Sequence, residues 1–117
     1  MDPTIRSALV LLAGVVVAVI VVTLMDTMAG RTPSAAVLIV LAGWVLAAGA
    51  GSYVATRLAT RSRAIHGLIV ALFVLVATVG NLAAIPHPVW LWPAAIILIP
   101  AAGWAATKLV IRPTVAS

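Results

Sequence analysis

From Ala8 to Met25 the chain carries no charged residue. Three runs of similar character follow, Ala35 to Thr56, Ala64 to Ile85 and Val89 to Val110, and Lys108 is the only Asp, Glu, Lys or Arg inside them. Each is close to the roughly 20 residues that an α-helix needs to cross about 30 Å of hydrocarbon at about 1.5 Å per residue. Val and Ile are abundant, which in water would argue for strands. In lipid, every backbone N–H and C=O must be satisfied within the segment, and that requirement overrides strand propensity. With 65% hydrophobic and 8% charged residues, against about 45–50% and about 25% in a soluble domain, the chain lacks the polar surface to cover itself. The expectation is an all-α membrane protein: one antiparallel four-transmembrane-helix bundle spanning 1–117, with helices at about 5–27, 34–57, 63–85 and 89–111. It would be a multi-pass protein of the cell's inner (plasma) membrane.

The helix boundaries are written in capping residues. Asp2-Pro3 reads as an N-cap followed by proline at the first helical position, where the missing N–H costs nothing. Thr32-Pro33 repeats the signal, and Ser62 is a third candidate cap. The connections, about 28–34, 57–63 and 86–88, are short, so neighbouring helices must be antiparallel. The first apolar run exceeds the about 7–15 residues of a signal-peptide core, so it is expected to stay in the protein as a helix. Arg6, Arg57, Arg61, Arg63, Lys108 and Arg112 fall on one side of this arrangement and Arg31 alone on the other. The positive-inside rule then places both termini in the cytoplasm. A chain this asymmetric is not a dual-topology transporter.

Small residues mark the contact faces. Gly43, Ala47, Gly51 and Ala55 recur every fourth residue in the second segment. Lipid chains are as apolar as leucine, so membrane helices associate through close backbone approach, and this ladder is a contact face within the bundle or with a partner. In the third segment Gly67, Ala71, Val74, Thr78 and Asn81 form a stripe at spacings of 4, 3, 4 and 3 that is expected to face the bundle interior. Gly14 and Ala18 give the first helix a shorter patch. Pro100 should kink the fourth helix by removing the bond to the carbonyl of Ile96.

Ionisable residues at membrane depth are functional candidates by default. Asp26 lies about 14 Å from the midpoint of the first run and Asn81 about 9 Å from that of the third, both toward the outer side, and His87 lies in the outer turn. These three form the candidate polar site: a proton-linked pair, a cation site or an anchor for a partner. The plainer alternative is a hydrated helix end, a helix-tying amide and a turn residue. Trp90 and Trp92 fit the outer interfacial belt. Trp44 and Trp104 fall near mid-membrane, where each indole N–H wants an acceptor, supplied by a helix neighbour or a bound lipid or pigment. Tyr53 and Arg57, with Arg61 and Arg63, suit contact with anionic lipid headgroups.

Much is excluded. There is no cysteine, hence no disulfide and no thiolate ligand. Asp2 and Asp26 are the only acids and would lie on opposite sides of the membrane, so there is no carboxylate pair. No phosphate-binding glycine loop or nucleophilic set is present, and no enzyme activity, metal or cofactor is expected. The bases flank apolar runs rather than forming a patch, which argues against nucleic acid.

Asn81-Leu82, Ile85-Pro86-His87-Pro88 and Trp90-Leu91-Trp92 together resemble a recurring pattern in small four-helix bacterial inner-membrane proteins of unassigned activity. Val54-Ala55-Thr56-Arg57-Leu58 and an acid at Asp26 match the same pattern. The resemblance spans most of the chain and implies the fold, not a function. The small multidrug resistance transporters, of similar length, need a glutamate deep in the first helix, where this chain has only apolar residues. The fluoride channels have a phenylalanine-rich third helix, and here Phe73 stands alone. The leading expectation is an accessory or structural subunit packing through its small-residue faces against itself or a larger membrane complex. The alternative is a small transporter or channel with its site near Asp26, Asn81 and His87.

Overall fold

A computed structural model describes residues 2–31, 33–60, 62–84 and 88–111. Four α-helices account for almost all of them: α1 (Pro3–Arg31), α2 (Ala36–Leu58), α3 (Arg63–Ala84) and α4 (Leu91–Ile111). All four are long and apolar enough to span a membrane.

α1 starts as its capping residues dictate. The Thr4 N–H donates to Asp2 Oδ1 at 2.8 Å, and Pro3 occupies the first helical position. The helix then runs on to Arg31, beyond the expected end near residue 27. Nothing in Asp26–Arg31 stops it: Thr23 and Thr27 turn their hydroxyls back onto the carbonyls of Val19 and Thr23, within the helix. Its 29 residues span about 43 Å at about 1.5 Å per residue, more than the about 30 Å that crossing hydrocarbon requires. α2 does not begin at Pro33 as α1 does at Pro3. A 3-10 turn, Pro33–Ala35, comes first, and Ala35 at the N-cap offers no side-chain bond. Ser62 caps α3 differently from the expected hydroxyl cap. It takes a left-handed φ of 48°, and its carbonyl receives the His66 N–H at 3.1 Å. α4 is continuous through Pro100.

α2 is the hub. It packs against α1, α3 and α4, α3 also meets α4 and, less closely, α1, and among the described residues α1 and α4 do not meet. The cross-section is a rhombus with α2 and α3 on the short diagonal. Consecutive helices are antiparallel: Gly14 of α1 lies against Gly51 of α2, whereas Met25, further along α1, lies against Gly43, earlier in α2. The small residues make this possible. A Cβ on Gly51 would stand 2.7 Å from the Gly14 carbonyl oxygen, and one on Gly14 2.8 Å from that of Gly51. The two backbones therefore touch, and the ladder Gly43, Ala47, Gly51, Ala55 is buried between helices.

The core divides along the bundle axis. At the end where α1 and α3 begin, Val10, Ala55, Ala59 and Val70 pack together. Toward the other end a larger cluster includes Trp44, Val74, Leu82, Leu91 and Ile99. Arg6, Arg57, Arg63 and Lys108 belong to the first end, the basic end, and Arg31 to the far end. Arg61 and Arg112 lie outside the described residues.

Candidate functional site

The far end holds the residues singled out for function. His87 lies outside the described residues. Asp26 is exposed on α1 and Asn81 exposed on α3, and among the described residues no hydrogen bond or ion pair joins them. The interior stripe of α3 holds for Gly67, Ala71, Val74 and Thr78, all buried. It fails at Asn81, and Leu82 is buried in its place. The cause is the neighbour. α1 closes on α3 where Gly14 meets Val70, but beyond that level a furrow opens between them. Its volume is about 170 Å³; Val19, Val22, Phe73, Ala77 and Asn81 line its sides, with Trp44 and Thr78 among the buried residues at its base. Asn81 therefore stands on the wall of an open furrow, with no helix among the described residues covering it.

Thr78 adds a second polar group to this furrow. The residue is 3% exposed, and its hydroxyl has no hydrogen-bond partner among the described residues. No fully enclosed side-chain polar atom there lacks a partner, so the Thr78 oxygen must open into the furrow it lines. An unpaired amide and hydroxyl at membrane depth are costly unless a partner or water reaches them. Ala77, Gly80 and Ala84, all exposed, lie on neighbouring turns of α3. A Cβ on Gly80 would meet nothing within 4 Å, so this flank admits close approach.

A second polar constellation, which the periodicity did not reveal, lies between α2, α3 and α4 toward the basic end. Ser52 Oγ donates to the Gly67 carbonyl at 2.8 Å. Thr107 Oγ1 donates to the Gly103 carbonyl at 2.8 Å and accepts from Thr56 Oγ1 at 3.4 Å. Gly67 and Gly103 create the space: a Cβ on Gly67 would collide with the hydroxyls of Thr56 and Thr107, and one on Gly103 with Ala71. Arg63 Nε donates to the Thr56 carbonyl at 3.1 Å, satisfying one of the orphan acceptors at the end of α2. This layer is closed on itself and binds helices together. Ser, Thr and Gly scattered through apolar runs give little signal in one dimension, and only the three-helix meeting point unites them.

The aromatic and basic residues separate by exposure. Trp90 is exposed and Trp92 packs partly against the far-end core. Trp44 is buried in that core at 5% exposure, whereas Trp104 is 56% exposed and faces outward, with Lys108 Nζ 4.6 Å above its ring. Arg57 and Tyr53 are exposed; Arg63 is partly buried by its bond to α2.

Compared with known protein families, curated proteins and solved structures, the chain has no match.

Proposed function

We propose that the chain is an accessory or structural subunit of a bacterial inner-membrane assembly, with both termini cytoplasmic and no catalysis of its own. The observation that carries this reading is the open furrow at the far end, where Asn81 and Thr78 present unpaired polar groups beside Ala77, Gly80 and Ala84. A transmembrane helix from a partner, seated there, would supply hydrogen bonds and close small-residue contact together. The α2 ladder is occupied by α1, so the docking face moves to the α1–α3 side. The positive-inside rule orients the bundle with Arg6, Arg57, Arg63 and Lys108 in the cytoplasm, which puts the furrow toward the outer leaflet. The exposed Trp90 at the same end suits the outer interface.

The test is extraction of the tagged chain from its native membrane in mild detergent, with the mass of the released complex measured. Wild type should leave as an assembly with a defined partner. Asn81→Leu and Gly80→Leu should release it alone while it keeps its helicity. Wild type released as a bare monomer would remove the proposal, and a dimer of the chain would make the partner a second copy.

A second reading, a small transporter, draws on the same furrow because it brings Thr78 and Asn81 to open space. It requires a path past the Gly14–Gly51–Val70 contact that closes the furrow toward the basic end. Ion- or proton-dependent flux in liposomes, lost in Asn81→Leu, would favour it over the subunit reading.

A further inference from the structure

At the basic end a pocket of about 190 Å³ sits between the start of α1, the α2–α3 connection and the start of α3. That is several times the roughly 30 Å³ share of a water molecule. Arg6, Ser7, Thr60 and His66 provide its polar wall. Among the described residues no carboxylate lines it, and the nearby Asp2 is engaged as the cap of α1 through Oδ1. His66 is 8% exposed. Its Nδ1 lies 3.0 Å from the Ser62 carbonyl; a carbonyl only accepts, so Nδ1 carries the proton. The left-handed turn at Ser62 aims that carbonyl. Nε2 then has no partner among the described residues. No fully enclosed polar side-chain atom there is unpaired, so Nε2 opens into the pocket that His66 lines.

The pocket does not end in water alone. Arg6 and Val10 also line a second hollow of about 210 Å³, whose other walls are Leu9 and Leu58. This neighbour is an apolar furrow between α1 and α2 on the bundle's outer surface. A cationic, hydroxyl-rich pocket thus shares a wall with an apolar groove at the level where the helices would leave the hydrocarbon.

We infer that this pair of hollows binds a phosphate group carried on a lipid: the headgroup phosphate in the Arg6–Ser7–Thr60–His66 pocket and the start of an acyl chain along Leu9 and Leu58. Arg6 meets the ionised oxygens with the charge-assisted fork of its guanidinium. Ser7 and Thr60 donate hydroxyl protons. Nε2 completes the set, as acceptor from a P–OH or as donor to a phosphate oxygen. A phosphomonoester headgroup offers three terminal oxygens and so meets all four side chains. A phosphodiester offers only two. The site is independent of the partner proposed for the far end.

The full chain reconstituted in phosphatidylcholine nanodiscs containing a minority of phosphatidic acid or phosphatidylglycerol gives the test, with lipid retained after detergent exchange read by native mass spectrometry. Phosphatidic acid should be retained in preference to phosphatidylglycerol. Arg6→Gln should lower its retention about tenfold, and Thr60→Val should lower it less. Lys108→Gln, which removes an exposed base of the same end outside the pocket, should leave it within about twofold. Equal retention of both lipids, or equal losses in Arg6→Gln and Lys108→Gln, would reduce the effect to diffuse charge attraction and overturn the site. Displacement of bound lipid by millimolar inorganic phosphate would overturn the lipid as the source.

Discussion

The two ends of this bundle handle polar groups in opposite ways. Toward the basic end, Ser52, Thr56, Thr107 and Arg63 are tied to carbonyls and to each other between three helices. Toward the far end, Thr78 and Asn81 open onto a furrow that no described residue fills. α3 takes part in both: it meets α2 and α4 in the closed layer and faces α1 across the furrow. The furrow opens where α1 separates from α3 beyond the Gly14–Val70 contact. In lipid, where apolar burial between helices gains little, a closed hydroxyl layer holds a fold together and an open one invites another molecule.

Substitutions can break this contrast, and the largest effect belongs to the closed layer. Gly67→Ala drives a methyl into the hydroxyls of Thr56 and Thr107 and should cost about 3 kcal/mol in reversible unfolding from mixed micelles. A loss below about 0.5 kcal/mol would mean that the layer is loose. Gly51→Ala, whose Cβ would lie 2.7 Å from the Gly14 oxygen, should cost about 2 kcal/mol by forcing α1 away from α2. Thr107→Val removes the hydroxyl that joins α4 to Thr56, and the same unfolding measurement should show a loss of about 1 kcal/mol. At the far end the outcome inverts. Asn81→Leu should leave stability within about 0.5 kcal/mol yet abolish assembly in mild detergent. Gly80→Ala, with nothing within 4 Å, should change stability least of all. A large destabilisation by either far-end substitution would show that the furrow is part of the core.

The helices were legible because four apolar runs of spanning length leave few alternatives, and the Asp2-Pro3 start was legible because a cap acts within a few residues. The α2 ladder was visible as a contact face, but not its occupant: Gly14 and Gly51 meet backbone to backbone across distant segments. Asn81 was misplaced because periodicity assigns a residue to a face and cannot say where the neighbouring helix stops covering it. Ser52, Thr56 and Thr107 were missed for a related reason. Each is an ordinary polar residue in its own helix, and their chemistry appears only where α2, α3 and α4 converge. His66 starts α3 at the end opposite the candidate polar site, and its burial there against Ser62 turns one ring nitrogen to a pocket.

The central claim is that the α2 ladder is internal and that partners dock on the furrow side. With no native cysteine in the chain, single-cysteine cross-linking in intact native membranes tests it directly, comparing Ala84→Cys on α3 with Ala47→Cys on α2. The account predicts a cross-linked species of higher mass from Ala84→Cys and none from Ala47→Cys. A cross-link from Ala47→Cys, with Ala84→Cys silent, would contradict it.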